Sequence, residues 1–199
     1  MADWPTGNPD VRITDVEVLS DNWYVLRKAT FEYRSRDGVW STQQREAYDR
    51  GDGVTILMVD WARRTVLLTC QFRLPAYLNG HPDGMLIEAP AGLRDGDSAV
   101  QAICREAEEE TGYRVESPTA IYDPFMSPGS VTERVAFFVA EYSHEHRVGD
   151  GGGLATEGED IHLVEMSLDD AYQAVRSGDI ADGKTILLLQ WAELQELRA

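Results

Sequence analysis

Three glutamates stand close together in the middle of the chain: Glu106, Glu109 and Glu110. If they lie on a helix, their spacing gathers the side chains into a fan of about 100°. Like charges one helical turn apart repel by roughly a few tenths of a kcal/mol per pair, so the cluster needs water or cations around it. Magnesium suits such a group, because it prefers oxygen ligands and is usually shared between one or two carboxylates, several waters and substrate phosphates. An acidic string alone, however, is more often a solvated helix face.

The surrounding residues build a setting for the string. Ala91-Gly92-Leu93-Arg94-Asp95-Gly96-Asp97 reads as a glycine-bearing loop entering a helix from about Ser98 to Thr111. Ser98 with Gln101 makes a capping box, worth about 1 kcal/mol at the helix start. Gly112 suits the left-handed position after the helix. Val100, Ile103, Cys104 and Ala107 fall on one stripe expected to face the core, with the carboxylates on another face.

The Arg105-Glu106-Ala107-Glu108-Glu109-Glu110-Thr111-Gly112-Tyr113 stretch, with the upstream glycine, resembles the signature of the Nudix hydrolases. The resemblance implies an α+β fold, an α/β/α sandwich on a mixed central sheet, together with an N-terminal antiparallel sheet. One departure stands out. The interval from Gly92 to Arg105 is one residue shorter than the usual pattern, and Ser98 occupies the place of a customary glutamate, with Asp97 the nearest carboxylate.

Elsewhere, Val11, Ile13, Val16 and Val18, then Trp23 to Leu26, Phe31 to Tyr33 and Val39 to Tyr48 alternate as strands around a turn at Arg36-Asp37-Gly38, an antiparallel meander. The predicted division is 1-50 as a β-meander subdomain and 51-199 as the hydrolase domain. Val54 to Val59 and Thr65 to Phe72 are near-continuous apolar runs, as in strands buried on both faces. Further strands are expected at Met85 to Ala89, Ala120 to Tyr122, Arg134 to Tyr142 and Ile161 to Met166. Helices are expected at Ser167 to Ser177 and Lys184 to Leu197. The glycine-rich His144 to Gly158 segment reads as a mobile loop.

With 35 acidic against 18 basic side chains and a net charge of -17, the surface repels a nucleic-acid backbone, so a phosphate substrate must be met locally by arginines or bound cations. Cys70 and Cys104 are too few for a disulfide framework or a cysteine metal site, which points to a cytoplasmic protein. No run approaches a membrane span, and Met1 to Asp10 lacks a leader. His81, His144, His146 and His162 have no metal-like spacing.

Ser20-Asp21-Asn22-Trp23, Arg45 to Gly51, Gln71-Phe72-Arg73 and Asp182-Gly183-Lys184-Thr185 look like the bacterial GDP-mannose hydrolases, close relatives of the ADP-ribose pyrophosphatases, as does the shortened box. Ser127-Pro128-Gly129 is similar to both groups. The resemblance implies Mg2+, with Mn2+ as a substitute, at Glu106, Glu110, the Ala91 carbonyl and Glu159, and Glu109 as a third acidic ligand or a group behind the ligands. Catalytic duty would fall to Glu109, Glu110 and Glu159. For the nucleotide sugar it implies Trp23, Gln44, Arg45, Glu46, Arg73 and the backbone of Gly92 and Leu93. Trp23 could stack a base or equally plug the meander. Arg45 and Arg73 could fork onto phosphate, or lie in an ion pair with Glu46 and at a strand end respectively.

The implied reaction is hydrolysis of a nucleoside diphosphate sugar to a nucleoside monophosphate and a sugar 1-phosphate, with GDP-mannose first and ADP-ribose second among substrates. A non-catalytic nucleotide-sugar sensor is the reading from another class. The meander is too small to bury both faces alone, and the resemblance implies a homodimer with exchanged N-terminal parts.

Overall fold

The computed structural model describes residues 7–154, 156 and 158–198, and the chain divides into two units. The first is built from residues up to Asp52 together with Phe125–Arg134. Its three strands, β1 (Val11–Asp21), β2 (Val25–Arg34) and β3 (Trp40–Asp49), form an antiparallel sheet in the order β1-β2-β3. The turn between β2 and β3 places Gly38 at φ 84, a left-handed conformation glycine adopts without a Cβ penalty. The returning segment is held to the end of β3 by the Tyr48 amide on the Ser130 carbonyl (2.8 Å) and the Thr132 amide on the Tyr48 carbonyl (3.0 Å). Glu133 pairs there with Arg50 at 3.4 Å. No side chain of β1, β2 or β3 is buried within the single chain.

The second unit, Gly53–Pro124 with Val135 onward, carries β4 (Gly53–Asp60), β5 (Thr65–Phe72), β6 (Met85–Glu88), β7 (Ala91–Leu93), β8 (Thr119–Tyr122), β9 (Val135–Glu141) and β10 (His162–Ser167). They form a sheet ordered β10-β5-β4-β9-β8, with β6 added to β5 and β7 to β4. Only β4 and β9 run parallel, so the sheet is mixed. Successive β4 residues point to opposite faces. Ile56 and Met58 join Ile103 and Ala107 of α2 (Ala99–Thr111) in one core, while Leu57 and Val59, also fully buried, face the other way. Helices α3 (Leu168–Ser177) and α4 (Gly183–Glu196) pack against each other and against the sheet. The result is the expected α/β/α sandwich.

Four features depart from the sequence reading. A short helix, α1 (Leu74–Leu78), follows β5, and the glycine loop before α2 contains strand β7, in which Ala91 pairs with Thr55 and Gly92 with Val54. The inward face of α2 is Ala102, Ile103, Glu106, Ala107, Glu110 and Thr111, whereas Val100 is 48% exposed. Two of the three glutamates therefore point inward. The glycine run expected as a mobile loop is hydrogen-bonded to the end of α2: the Gly152 amide meets the Glu110 carbonyl at 2.9 Å and the Gly153 amide the Glu109 carbonyl at 3.1 Å.

Candidate active site

Helix α2 is fixed at both ends. Ser98 Oγ accepts the Gln101 amide (3.3 Å), Gln101 Oε1 accepts the Ser98 amide (3.2 Å), and Gly112 closes the helix at φ 74. Between these caps, Glu106 is 8% and Glu110 1% exposed. The Glu106 carboxyl group lies against Gly92 of β7, in the space that a Cβ there would take, so a side chain at Gly92 would displace that carboxyl.

The compensation of these buried charges is thin. Glu110 Oε2 accepts the Ala91 amide at 3.1 Å, and Glu106 Oε1 accepts Arg105 Nη1 at 2.8 Å. Burial drives the Glu110 carboxyl up to about 8, opposed by the Ala91 amide and reinforced by Glu106 and Glu159. Burial likewise lifts Glu106 to about 7, with Arg105 opposing and Glu109 and Glu159 adding to the rise. Carboxylates removed from water and crowded by like charge are costly unless a proton or a cation joins them. A hard divalent ion with oxygen ligands fits this donor set. Among the described residues no three His, Cys, Asp or Glu side chains form a preformed cage, so this pair would need Glu159, backbone oxygen, water or substrate to complete a coordination shell.

Arg105 gathers the outer part of the site. Besides Glu106 it reaches Glu109 Oε2 through Nη1 (3.2 Å) and the Leu93 carbonyl through Nη2 (3.2 Å), with Asp97 at 3.6 Å from Nε. Asp97 thus meets Arg105, and Glu109 is held on the same guanidinium. Glu159 Oε2 accepts the Leu154 amide at 2.8 Å. It is close enough for its charge to raise both Glu106 and Glu110.

Arg73, just after β5, is held by a partner that the sequence reading passed over. Its Nε and Nη2 donate to Glu88 Oε1 and Oε2 at 2.9 and 2.8 Å, a forked pair that leaves the remaining guanidinium N–H groups for another anion. Glu88 is 2% exposed, and Lys184 Nζ lies 3.7 Å from its Oε2 and 2.7 Å from Asp182 Oδ1. Asp182 also caps α4 by accepting the Thr185 amide at 2.9 Å and hydroxyl at 2.7 Å. The charge of Arg73 is felt at Glu110. A signal for Glu88 existed: an acid ending the apolar Met85-Leu86-Ile87 run has to find a cation if that strand is buried.

The other residues implied for the nucleotide sugar lie in the first unit. Trp23 is 80% exposed, its ring edge-on to Tyr24 at 6.3 Å, so it does not plug the meander. Gln44 donates to Thr30 Oγ1 (3.2 Å), and Arg45 donates to the Gln44 carbonyl (2.7 Å) and Gln43 Oε1 (3.1 Å). Glu46 stands opposite Lys28 in the β2-β3 register. A cavity of about 510 Å³ beside Trp61, Arg114 and Trp191 and one of about 440 Å³ that reaches Arg105 and Glu109 are lined by neither Glu106 nor Glu110. Buried charge, not cavity size, marks this site.

The family comparisons place this helix and sheet within a known domain. Residues 49–189 match the NUDIX domain, and the chain belongs to the Nudix family. More narrowly, residues 10–48 match the N-terminal domain described as that of the GDP-mannose pyrophosphatase NudK. The GDP-mannose pyrophosphatase of Pectobacterium atrosepticum is 48% identical over 92% of this chain and 93% of its own length. That of Yersinia enterocolitica is 49% identical over 91% of this chain and 94% of its own. A solved structure described as an ADP compounds hydrolase superposes with a TM-score of 0.70 at 18% identity, covering 94% of this chain and 96% of that one, a likeness of fold.

Proposed function

We propose that this Nudix enzyme hydrolyses the diphosphate bond of GDP-mannose, giving GMP and mannose 1-phosphate. The carrying observation is the pair of carboxylates, Glu106 and Glu110, buried against Ala91 and Gly92 and raised to about 7 and about 8. The relatives named GDP-mannose pyrophosphatase, matched over nine-tenths of their length, support the choice of substrate.

In this reading Glu106, Glu110, the Ala91 carbonyl and Glu159 would hold Mg2+, or Mn2+ in its place. The cation, when bound, neutralises charge on the diphosphate and lowers the pKa of a coordinated water. Arg73 offers the diphosphate the N–H groups that Glu88 leaves free, and the Gly92-Leu93 backbone lines the approach. Glu159 accepts the proton of the attacking water, one oxygen of its carboxylate being held by Leu154. Glu109 acts through Arg105, which it shares with Glu106. Trp23 stacks on the guanine or covers the sugar, and Gln44, Arg45 and Glu46 recognise polar groups of the nucleotide sugar.

A sheet with no buried side chain needs a second covering surface, which supports a homodimer in which the 1-50 subdomains are exchanged between 51-199 hydrolase domains. Free Cys70 and Cys104 support a cytoplasmic place, and among the described residues no helix is long and apolar enough to cross a membrane. Incubation with GDP-mannose, ADP-ribose and UDP-glucose, with Mg2+ and with a chelator, tests the reading. GMP and mannose 1-phosphate should form fastest and only with the metal, whereas ADP-ribose turning over faster, or turnover in chelator, would overturn it.

A further inference from the structure

The glycine-rich segment after the 3-10 turn at His144–His146 wraps the C-terminal end of α2. A helix end leaves carbonyl groups without intrahelical donors. Here the Val148 and Gly149 amides both donate to the Gly112 carbonyl (2.8 and 3.1 Å), the Gly152 amide to Glu110 (2.9 Å) and the Gly153 amide to Glu109 (3.1 Å). The wrapping needs close backbone contact. A Cβ on Gly112 would collide with the Gly149 carbonyl, and one on Gly151 would come within 2.6 Å of the Glu110 carbonyl oxygen. Gly151, Gly152 and Gly153 all take positive φ, at 69, 105 and 77. Three such residues in succession are accessible to glycine and strained for anything else.

The same collar carries Glu159. The Ile161 amide donates to the Gly152 carbonyl (3.2 Å), the Glu159 amide to the Leu154 carbonyl (3.3 Å), and the Leu154 amide to Glu159 Oε2 (2.8 Å). A Cβ on Gly153 would sit 2.5 Å from Glu159 Oε2, 2.8 Å from Glu159 Cβ and 2.9 Å from Ile161 Cδ1. The missing side chain at Gly153 is therefore the space that the Glu159 side chain occupies.

We propose that Gly151, Gly152 and Gly153 are positioning residues that fix Glu159 relative to the Glu106 and Glu110 carboxylates by docking its loop onto the end of the helix that bears them. Both ends of the linkage are short: the loop hangs on the carbonyls of Glu109 and Glu110 themselves, and Glu159 folds back into the space beside Gly153. The inference rests on the reading of Glu159 as the proton acceptor and adds what holds it there.

Steady-state hydrolysis of GDP-mannose by the full chain, Gly153→Ala, Glu159→Gln and the double variant tests it. Glu159→Gln should lower kcat about 100-fold, as loss of a general base does. Gly153→Ala should lower kcat about tenfold with KM nearly unchanged, because a displaced base affects proton transfer more than binding. In the Glu159→Gln background it should do nothing further to kcat. A full kcat in Gly153→Ala, or losses that multiply in the double variant, would overturn the collar's role while leaving Glu159 in place. An unchanged kcat in Glu159→Gln would overturn the assignment of the base and the collar together. Should Gly153→Ala fail to fold, Gly152→Ala carries the test through backbone strain. Its methyl meets nothing nearer than the Ile161 carbonyl oxygen at 3.8 Å, and it too must lower kcat, keep KM and lose its effect beside Glu159→Gln.

Discussion

Two places in the second unit bury carboxylates, and they treat them oppositely. Glu88, 2% exposed, receives both arms of Arg73 and has Lys184 within 3.7 Å, so its charge is matched inside the protein. Glu110 is as deeply placed and Glu106 is also buried, yet Glu110 has one backbone amide and Glu106 one shared guanidinium. A matched buried charge adds order to a structure, whereas an unmatched one stores a demand for a cation. The contrast separates an ion cluster closed within the protein from carboxylates left open to a further partner, even though both are acids in apolar surroundings.

The contrast is sharpened most by Glu110→Gln. Turnover should fall by about 100- to 1000-fold, the scale of losing one charge-stabilising group in an active site. The metal-free melting temperature should stay level or rise by about 2–4 °C, because a poorly compensated buried charge has gone. Unchanged turnover, or a large loss of metal-free stability, would place Glu110 with the structural acids. Glu88→Gln should behave in the opposite way, unfolding more easily by about 1–3 kcal/mol once the part-exposure of Arg73 is allowed for, as denaturant titration would measure. Its failure to destabilise would erase the distinction drawn between the two places.

Much of this arrangement is visible in the chain itself, and the parts that are not have a common cause. Helix α2 could be read from its capping box and Gly112, and β4 and β5 from unbroken apolar runs, because those signals are local. The orientation of α2 was legible in part. Apolar spacing pointed Ile103, Cys104 and Ala107 to the core, where they pack, but it also pointed the exposed Val100 inward and left out Glu106 and Glu110, which the helix turns toward Ala91 and Gly92. Hydrophobic patterning scores a buried carboxylate as a solvated residue. Glu88 was missed for the same reason, since its partners Arg73 and Lys184 are distant in sequence. The glycine run misled in another way: glycine marks both loose linkers and tight backbone contacts, and its neighbours Gly112 and Glu110 come from elsewhere in the chain. Strand β7 escaped because three residues around a glycine carry no alternation.

The smallest effect belongs to the matched cluster. Burial raises the Asp182 carboxyl, but Lys184 and the Thr185 amide and hydroxyl outweigh it and hold it below its ordinary value of 3.8. A carboxyl depressed on folding contributes stability above its unfolded pKa, and that contribution is lost as pH falls through the lower folded value. Wild type should therefore lose about 1 kcal/mol from this group only below pH about 4. Asp182→Asn should be less stable at neutral pH and should close the gap in acid, as melting curves from pH 7 down to 3 would record. A constant difference across that range would detach Asp182 from the cluster's charge balance.

The most direct test of the central claim, that Glu106 and Glu110 are unmatched because they hold a cation, is anomalous diffraction from crystals soaked in Mn2+. The expected result is a manganese peak within coordinating distance of both carboxylates, absent in Glu110→Gln. A peak at Glu88, at Glu109 alone or nowhere on the inner face of α2 would contradict it.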